Sequence, residues 1–403
     1  MAKRIVIIGA GFAGMFSALS AARLRDQQGV SSDALEIIVV APEAALTVRP
    51  RLYETEPDAM VAPLGELFRA TDIRFIAGVV ETIDSAADRI VVTAPDGTRS
   101  ELGYDRLIIA AGSRVARPPL PGLADFAFSV DRRDEAAALD RHVQALAERP
   151  ASAERDTVVI AGGGFTGIET AAEFPVRLRK VLGADAAVRV IVVERNEAIG
   201  PDLGPGPRPV IEQALDALGV ERRMGVAVAA VDPHGVTLGD GTRIDSVTVV
   251  WTGGVGATPI TRQVPSERDR QGRLLVDGDL RVPGAPHIFA AGDAANAATD
   301  DKGNRTLMSC QHALPMGRSA GNNAAADLLG VPTLPYAQEP YGTCLDLGPW
   351  GAVVTQGWER VIQLTGAEAK AMKRQINTVW IYPPKADRAE AFAAAEPGRF
   401  ATV

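Results

Sequence analysis

Two glycine-rich turns of the same spacing, one at the start of the chain and one in its middle, constrain the fold more than any other feature. Gly9-x-Gly11-x-x-Gly14 follows directly on the apolar run Ile5 to Ile8, and Gly162-x-Gly164-x-x-Gly167 follows directly on Val158 to Ala161. A strand ending in this spacing turns sharply into a helix. The first glycine permits the turn, the second lets the backbone approach a pyrophosphate, and the third lets the helix pack close to its strand. The helix then turns its unpaired N–H groups and the positive end of its dipole toward the phosphates. Two such turns imply two dinucleotides held by one protein, a layout suited to passing electrons between them.

Each turn opens a βαβ unit. The first is predicted as strand Lys3–Ile8, helix Phe12–Gln28 and strand Glu36–Val40, and the second as strand Thr157–Ala161, helix Thr166–Leu182 and strand Arg189–Val193. Between Phe75 and Ala110, the runs Val79–Ile83, Arg89–Thr93 and Leu107–Ala110, with a turn at Pro95-Asp96-Gly97, predict a small β-meander. The proline-rich stretch Arg117 to Gly122 predicts an extended linker. Short strands are expected around Val228, Val236 and Val247–Trp251, with Asp240-Gly241 as a hairpin turn.

Near residue 285 the chain is expected to return to the first unit, with a short strand ending in Gly292-Asp293 and a helix from about Ser309 to Leu329. Thr343–Leu347, Ala352–Thr355 and Val361–Leu364 are short β runs, followed by a helix over Ala367–Thr378. The fold class expected is therefore α/β, with two Rossmann-like dinucleotide-binding domains and a small C-terminal α+β segment. The first domain is expected to be discontinuous, over 1–115 and 280–330, the second to cover 116–279, and the C-terminal domain 331–403.

At 403 residues the chain exceeds one ordinary core. A net charge of −8 without blocks of like charge argues against a nucleic-acid partner. No apolar stretch approaches the roughly 18 residues that span a bilayer. Gly9 and Gly11 interrupt the basic and apolar start of the chain, which therefore reads as a buried strand rather than a leader. Cys310 and Cys344, with four scattered histidines, make neither a disulfide framework nor a metal-site spacing, so no metal is expected. These features suit a cytoplasmic protein.

An acid at the end of the second strand of a dinucleotide fold binds ribose hydroxyls. Glu194 fills that position in the second unit and favours NADH over NADPH, while the neighbouring Arg195 leaves NADPH open. In the first unit the position is Ala41, and Glu43 is the nearest acid that a turn at Pro42 would bring to the ribose.

The ordered set Gly9–Gly14, Ala110–Ser113, Gly162–Gly167, Trp251–Pro259 and Ala291–Asp293 resembles the two-dinucleotide flavoprotein superfamily that includes glutathione reductase-like enzymes. The resemblance covers about residues 3–330. It implies FAD on the first unit, held by Gly9, Gly11, Gly14, Glu43, Arg49, Ala111, Gly112, Gly292 and Asp293. It likewise implies NADH on the second, held by Gly162, Gly164, Gly167, Glu194, Gly253 and Gly254. Within the superfamily the chain is most similar to type II NADH dehydrogenases. That likeness rests on Ala41–Tyr53 with its Arg49-Pro50-Arg51-Leu52-Tyr53 ending, on Gly162–Glu169, and on Cys310-Gln311-His312-Ala313, which lies where that family carries an Ala-Gln pair at its quinone pocket. Cys310, His312 and Pro315 depart from the family pattern.

The resemblance implies hydride transfer from NADH to FAD and delivery of two electrons to a quinone or another small acceptor. Glu169, in the first turn of its helix, would position the nicotinamide or relay a proton. Gln311 would donate to an acceptor carbonyl, and His312 would supply a proton to the forming quinol. Two other readings stay open. One is a sulfide or thiol:quinone oxidoreductase using Cys344, and the other a redox protein resembling apoptosis-inducing factor, in which NADH alters partner binding. In the C-terminal helix, Met372, Ile376, Val379 and Trp380 share one face, with Lys370, Lys373 and Arg374 on another. Packing on its own domain is the favoured use of that apolar face; a loose peripheral membrane contact and homodimerisation are the alternatives.

Overall fold

The computed structural model describes residues 2–338 and 341–399. Its first sheet has six strands in the order Arg281–Val282, Ala285–Ala290, Arg106–Ile109, Lys3–Ile8, Leu35–Ala41 and Arg74–Ala77, and every pairing after the first is parallel. The second has four parallel strands in the order Val220–Met224, Arg189–Glu194, Thr157–Ala161 and Thr248–Trp251. Both faces of a parallel sheet are covered, so its strands are near-continuous apolar runs. Ile5, Ile7, Ile38 and Ile108 are accordingly buried in the first core, and Val158, Ile160, Val192 and Val250 in the second.

In each sheet the strand leading into the glycine turn lies between neighbours on either side. The chain order reverses there, and a crevice opens beyond the strand ends. This places both glycine turns where a ligand can reach them.

Two of the expected short strands join these sheets. Leu107–Ala110 was expected in the meander, but Arg106–Ile109 lies beside Lys3–Ile8, and the third meander strand is Arg99–Gly103. The physical reason is burial: Leu107, Ile108 and Ile109 are covered on both faces, whereas Arg99–Gly103 is largely exposed. Thr248–Trp251 likewise enters the second sheet, while Val228–Asp232, Gly235–Leu238 and Arg243–Asp245 form a separate antiparallel sheet. Ser113–Val115 pairs antiparallel with Val255–Ala257 and ties the two dinucleotide units together.

The returning helix, Cys310–Leu329, is capped by the Ser309 hydroxyl and packs on the first fingerprint helix, Phe12–Gln27. The approach is so close that a Cβ on Gly317 or Gly321 would strike the backbone of Ala13 or Ser17. The C-terminal segment is a three-stranded antiparallel sheet, Gly342–Asp346, Ala352–Gln356 and Val361–Thr365, followed by helix Gly366–Gln375 and a π-helical turn, Ile376–Trp380. A further helix, Arg388–Ala394, follows. Asp387 caps it, and Arg388 ties it to Asp26 and Asp72 at 2.7 Å each. No helix among the described residues is long and apolar enough to cross a membrane.

Candidate functional site

The two glycine cradles have the same division of labour. Gly9 (φ +106°) and Gly162 (φ +124°) hold backbone that disfavours any side chain, and a Cβ on either would press on Ala110 or Thr252. A Cβ on Gly14 or Gly167 would collide with the carbonyl of Gly9 or Gly162. The middle glycines differ. A Cβ on Gly11 would meet nothing within 4 Å, and one on Gly164 would meet only Asp202 Oδ2, at 4.0 Å. The first and third glycines thus serve packing, while the second leaves open the room a pyrophosphate needs at a helix N-terminus. This is the fit expected of FAD and of NADH. Gly11→Val therefore separates binding from folding. Its φ of −71° is ordinary and its surroundings are empty, so circular dichroism and the melting temperature of the apoprotein should match wild type. FAD content after reconstitution should fall by about tenfold or more, as expected when a phosphate loses its close backbone approach.

Around the first cradle, Ser113 Oγ donates to Asp293 Oδ2 at 2.6 Å, and Arg49 donates to Ser113 Oγ at 3.1 Å while pairing with Asp293 and with Asp131. Arg49, Ser113 and Asp293 thus converge from three separate segments beside Gly112 and Gly292. Glu43 is placed differently from the ribose contact expected of it. It is exposed and paired with Arg133 at 3.0 Å. In the second cradle Glu194 is buried, accepting from the Gly163 amide at 2.7 Å and the Asn196 amide at 2.9 Å. These bonds lock the strand-end acid against the fingerprint turn. Gly253 lies against the Trp251 ring, and Gly254 (φ +88°) turns the chain beside it.

The densest cluster of buried charge surrounds Glu169. Glu169 is 3% exposed, and its carboxylate accepts from Lys373 Nζ at 2.7 Å and from the Asp346 amide at 3.0 Å. Lys373 also donates to the Cys344 carbonyl at 3.0 Å. Asp346 in turn accepts from Tyr53 Oη at 3.0 Å, from the Gly348 amide at 2.8 Å and from the half-buried Lys370 at 2.5 Å. Burial pushes the Glu169 carboxyl up to about 7 despite the opposing pull of Lys373, and the Asp346 charge adds to the rise. For Lys373 burial works against the charge, but Glu169 outweighs it and holds the ammonium above its usual range.

Lys373 is the residue that sequence reasoning misplaced. The helix pattern puts it on a basic face with Lys370 and Arg374, yet it is buried, with Met372 and Ile376 only half covered and Val379 and Trp380 exposed. The available signals were weak: Asp346, a carboxylate within an apolar strand, and Tyr53, at the end of the Arg49–Tyr53 segment.

Gln311 and His312 occupy the first turn of the returning helix. The Gln311 amide brackets the backbone of Gly342, its nitrogen 2.5 Å from the carbonyl and its oxygen 3.2 Å from the amide nitrogen. It is therefore engaged by the C-terminal sheet rather than presented free to an acceptor. His312 is fully buried, bonded through Nδ1 to Gln338 Oε1 at 3.1 Å, and burial lowers it to about 4. A ring that stays neutral at physiological pH does not carry the spare proton expected of it. That corrects its proposed role and leaves Glu169 as the group poised near neutrality. Cys310 and Cys344 are free thiols, pushed by burial up to about 11 and about 12. Neither is activated as a nucleophile, which weakens the sulfide-oxidising alternative. Among the described residues no group of His, Cys, Asp and Glu is arranged to hold a metal.

The model of the pyridine nucleotide-disulphide oxidoreductase family matches residues 3–317. An NADH dehydrogenase-like protein of Mycobacterium tuberculosis is 46% identical over 98% of both chains. The demethylphylloquinone reductase of Synechocystis is 30% identical over 93% of this chain and 91% of its own. Among solved structures, NDH2 from Plasmodium falciparum in complex with NADH shares the fold, with a TM-score of 0.79 at 15% identity over 98% of each chain.

Proposed function

This chain belongs to the pyridine nucleotide-disulphide oxidoreductase family, and from that membership and the geometry above we propose that it is an FAD-dependent NADH dehydrogenase passing two electrons to a quinone. The observation that carries the reading is the pair of cradles, each with its middle glycine facing open space, on one chain with a buried carboxyl poised near neutrality between them and the C-terminal sheet. Bound FAD supplies a two-electron carrier between the nicotinamide and the acceptor. The protein supplies the rest. Glu194, held by the Gly163 amide, would receive the adenosine ribose and disfavour a 2′-phosphate. Arg49 and Asp293, paired with each other beside Gly292, would hold the FAD phosphates and ribityl chain.

The overall reaction is NADH + H⁺ + quinone → NAD⁺ + hydroquinone. The hydride carries two electrons and one proton, so the second proton comes from solution. Glu169 is suited to deliver it because its carboxyl is about half protonated at pH 7. Asp346 meets Glu169 through its backbone amide, and its own carboxylate, with Tyr53 and the partly exposed Lys370, extends the polar cluster toward the surface. The exposed Val379 and Trp380, on the C-terminal segment, support a loose peripheral contact with the membrane in which a lipid-soluble quinone would reside.

Anaerobic addition of NADH to the FAD-loaded protein should bleach the flavin band, NADPH should do so more slowly, and a water-soluble quinone should restore the band. Absence of bleaching, or reoxidation by oxygen but by no quinone, would reject the assignment.

A further inference from the structure

The guanidinium of Arg49 is held along one edge by a single residue. Its Nε donates to the Asp131 carbonyl at 3.2 Å and its Nη2 donates to Asp131 Oδ1, which takes up the Nε–Nη2 side of the fork. The remaining corner, Nη1, donates to Ser113 Oγ at 3.1 Å and lies 3.5 Å from Asp293 Oδ2. Asp131 is fixed in turn. Its side chain is 8% exposed, its Oδ2 accepts from the Val115 amide at 2.9 Å, and its own amide donates to Ser129 Oγ at 3.0 Å. Arg49, Asp131, Val115 and Ser113 thus close a ring of contacts beside the first cradle.

Asp131 comes from a different part of the fold than the groups it holds. It stands two residues before helix Arg133–Ala145, which buries Leu139 and Val143 in the second core. The start of that helix docks on the segment that carries Arg49. Ala136 packs with Leu52 and Met60, and Arg133 pairs with Glu43 at 3.0 Å.

An unrestrained arginine has many rotamers, and that freedom is lost when its guanidinium binds a phosphate. A guanidinium fixed beforehand loses less, so the same contact yields tighter binding. Asp131 fixes Arg49 with Nη1 directed to Ser113 and Asp293, the residues beside Gly112 and Gly292. A carboxylate is needed for this. Its two oxygens accept from Arg49 and Val115 at once, whereas an asparagine would turn its amide nitrogen, a donor, toward one of them.

We propose that Asp131 is a positioning residue for FAD, acting through Arg49, so that the second unit supplies a carboxylate on which retention of the flavin dinucleotide by the first depends. The proposal rests on FAD occupying the first cradle.

Titration of the apoprotein with FAD, followed by the change in flavin fluorescence, measures this without NADH or quinone. Asp131→Asn should weaken FAD binding about tenfold, in the range of one charge-assisted hydrogen bond. Arg49→Met should weaken it at least as much, and Asp131→Asn/Arg49→Met no further than Arg49→Met alone, because the carboxylate acts through the guanidinium. Arg133→Gln, which loosens the neighbouring docking contact and leaves Arg49 bonded to Asp131, should bind FAD as the wild type does. Unchanged or tighter binding by Asp131→Asn, additive losses in the double variant, or an equal loss in Arg133→Gln would each overturn the proposal. If Asp131→Asn does not fold, Asp131→Glu, with the charge displaced by one methylene, takes its place in the same cycle. Wild-type protein that binds no FAD would overturn the cradle reading as well. Normal wild-type binding with an unaltered Asp131→Asn counts against Asp131 alone.

Discussion

Glu169→Gln should lower steady-state quinone reduction by about a hundredfold or more, within the range of about 10²–10⁴ that a positioned proton donor contributes. The amide keeps the shape of the carboxyl and cannot give up a proton. In the wild type, turnover should be highest where Glu169 is protonated and should fall as pH rises through about 7. In the variant that limb should be absent. Measurements of kcat with a soluble quinone from pH 5.5 to 9 read both effects. Rapid-mixing reduction by NADH alone distinguishes the two roles open to this side chain. If Glu169 serves the acceptor, bleaching by NADH should proceed at nearly the wild-type rate. If it positions the nicotinamide, the bleaching step itself should slow. A variant that keeps the alkaline limb would remove Glu169 from proton delivery.

Lys373→Met should destabilise the protein, and more strongly at alkaline than at acidic pH. The sign follows from the carboxyl left behind. Glu169 already has a folded-state value raised above its unfolded value near 4.5. The folded protein therefore holds this proton more tightly than the unfolded chain does, and stability is lost as pH rises from there toward the folded value. Removing the ammonium raises the folded value further. The loss then continues through pH 7 and above, at about 1.4 kcal/mol for each further unit. Near pH 6 a neutral Glu169 tolerates the loss of its partner. At pH 8.5 the cost approaches the roughly 3 kcal/mol of a stranded buried charge. Melting temperatures at the two pH values test this, and Glu169→Gln/Lys373→Met should recover much of the alkaline loss by removing both charges. A melting-temperature decrease that is the same at both pH values would show that Lys373 contributes packing alone.

Much of the site was legible in the sequence because its chemistry is local. A glycine spacing acts through backbone sterics over a few residues, so both cradles and both fingerprint helices fall within a residue of their expected starts. Glu194 ends its strand as the apolar run requires, while Glu169, expected in the first turn of its helix, lies just past it because the helix starts at Phe165. The tail was misread for the opposite reason. Lys373 belongs to a short helix whose charges alternate with apolar residues, and that pattern alone cannot separate a solvated lysine from one drawn inward by a distant carboxylate. His312 was credited with a free imidazole because nothing in its neighbourhood along the chain announces its burial. Leu107–Ile109 was assigned to the meander because a short apolar run does not say which sheet will cover it.

By itself the sequence determined that two dinucleotide cradles exist, where each begins, and which acid ends the second strand of the second unit. These follow from the conformations open to glycine and from apolar runs too continuous for anything but buried strands. Tertiary structure alone decided that Glu169 meets Lys373 across 204 residues, that Asp346 and Tyr53 join them, and that the carboxyl is thereby held near neutrality. The reason is desolvation. A carboxyl's proton affinity depends on which charges and how much water surround it, and those are set by the docking of the C-terminal segment onto the second fingerprint helix.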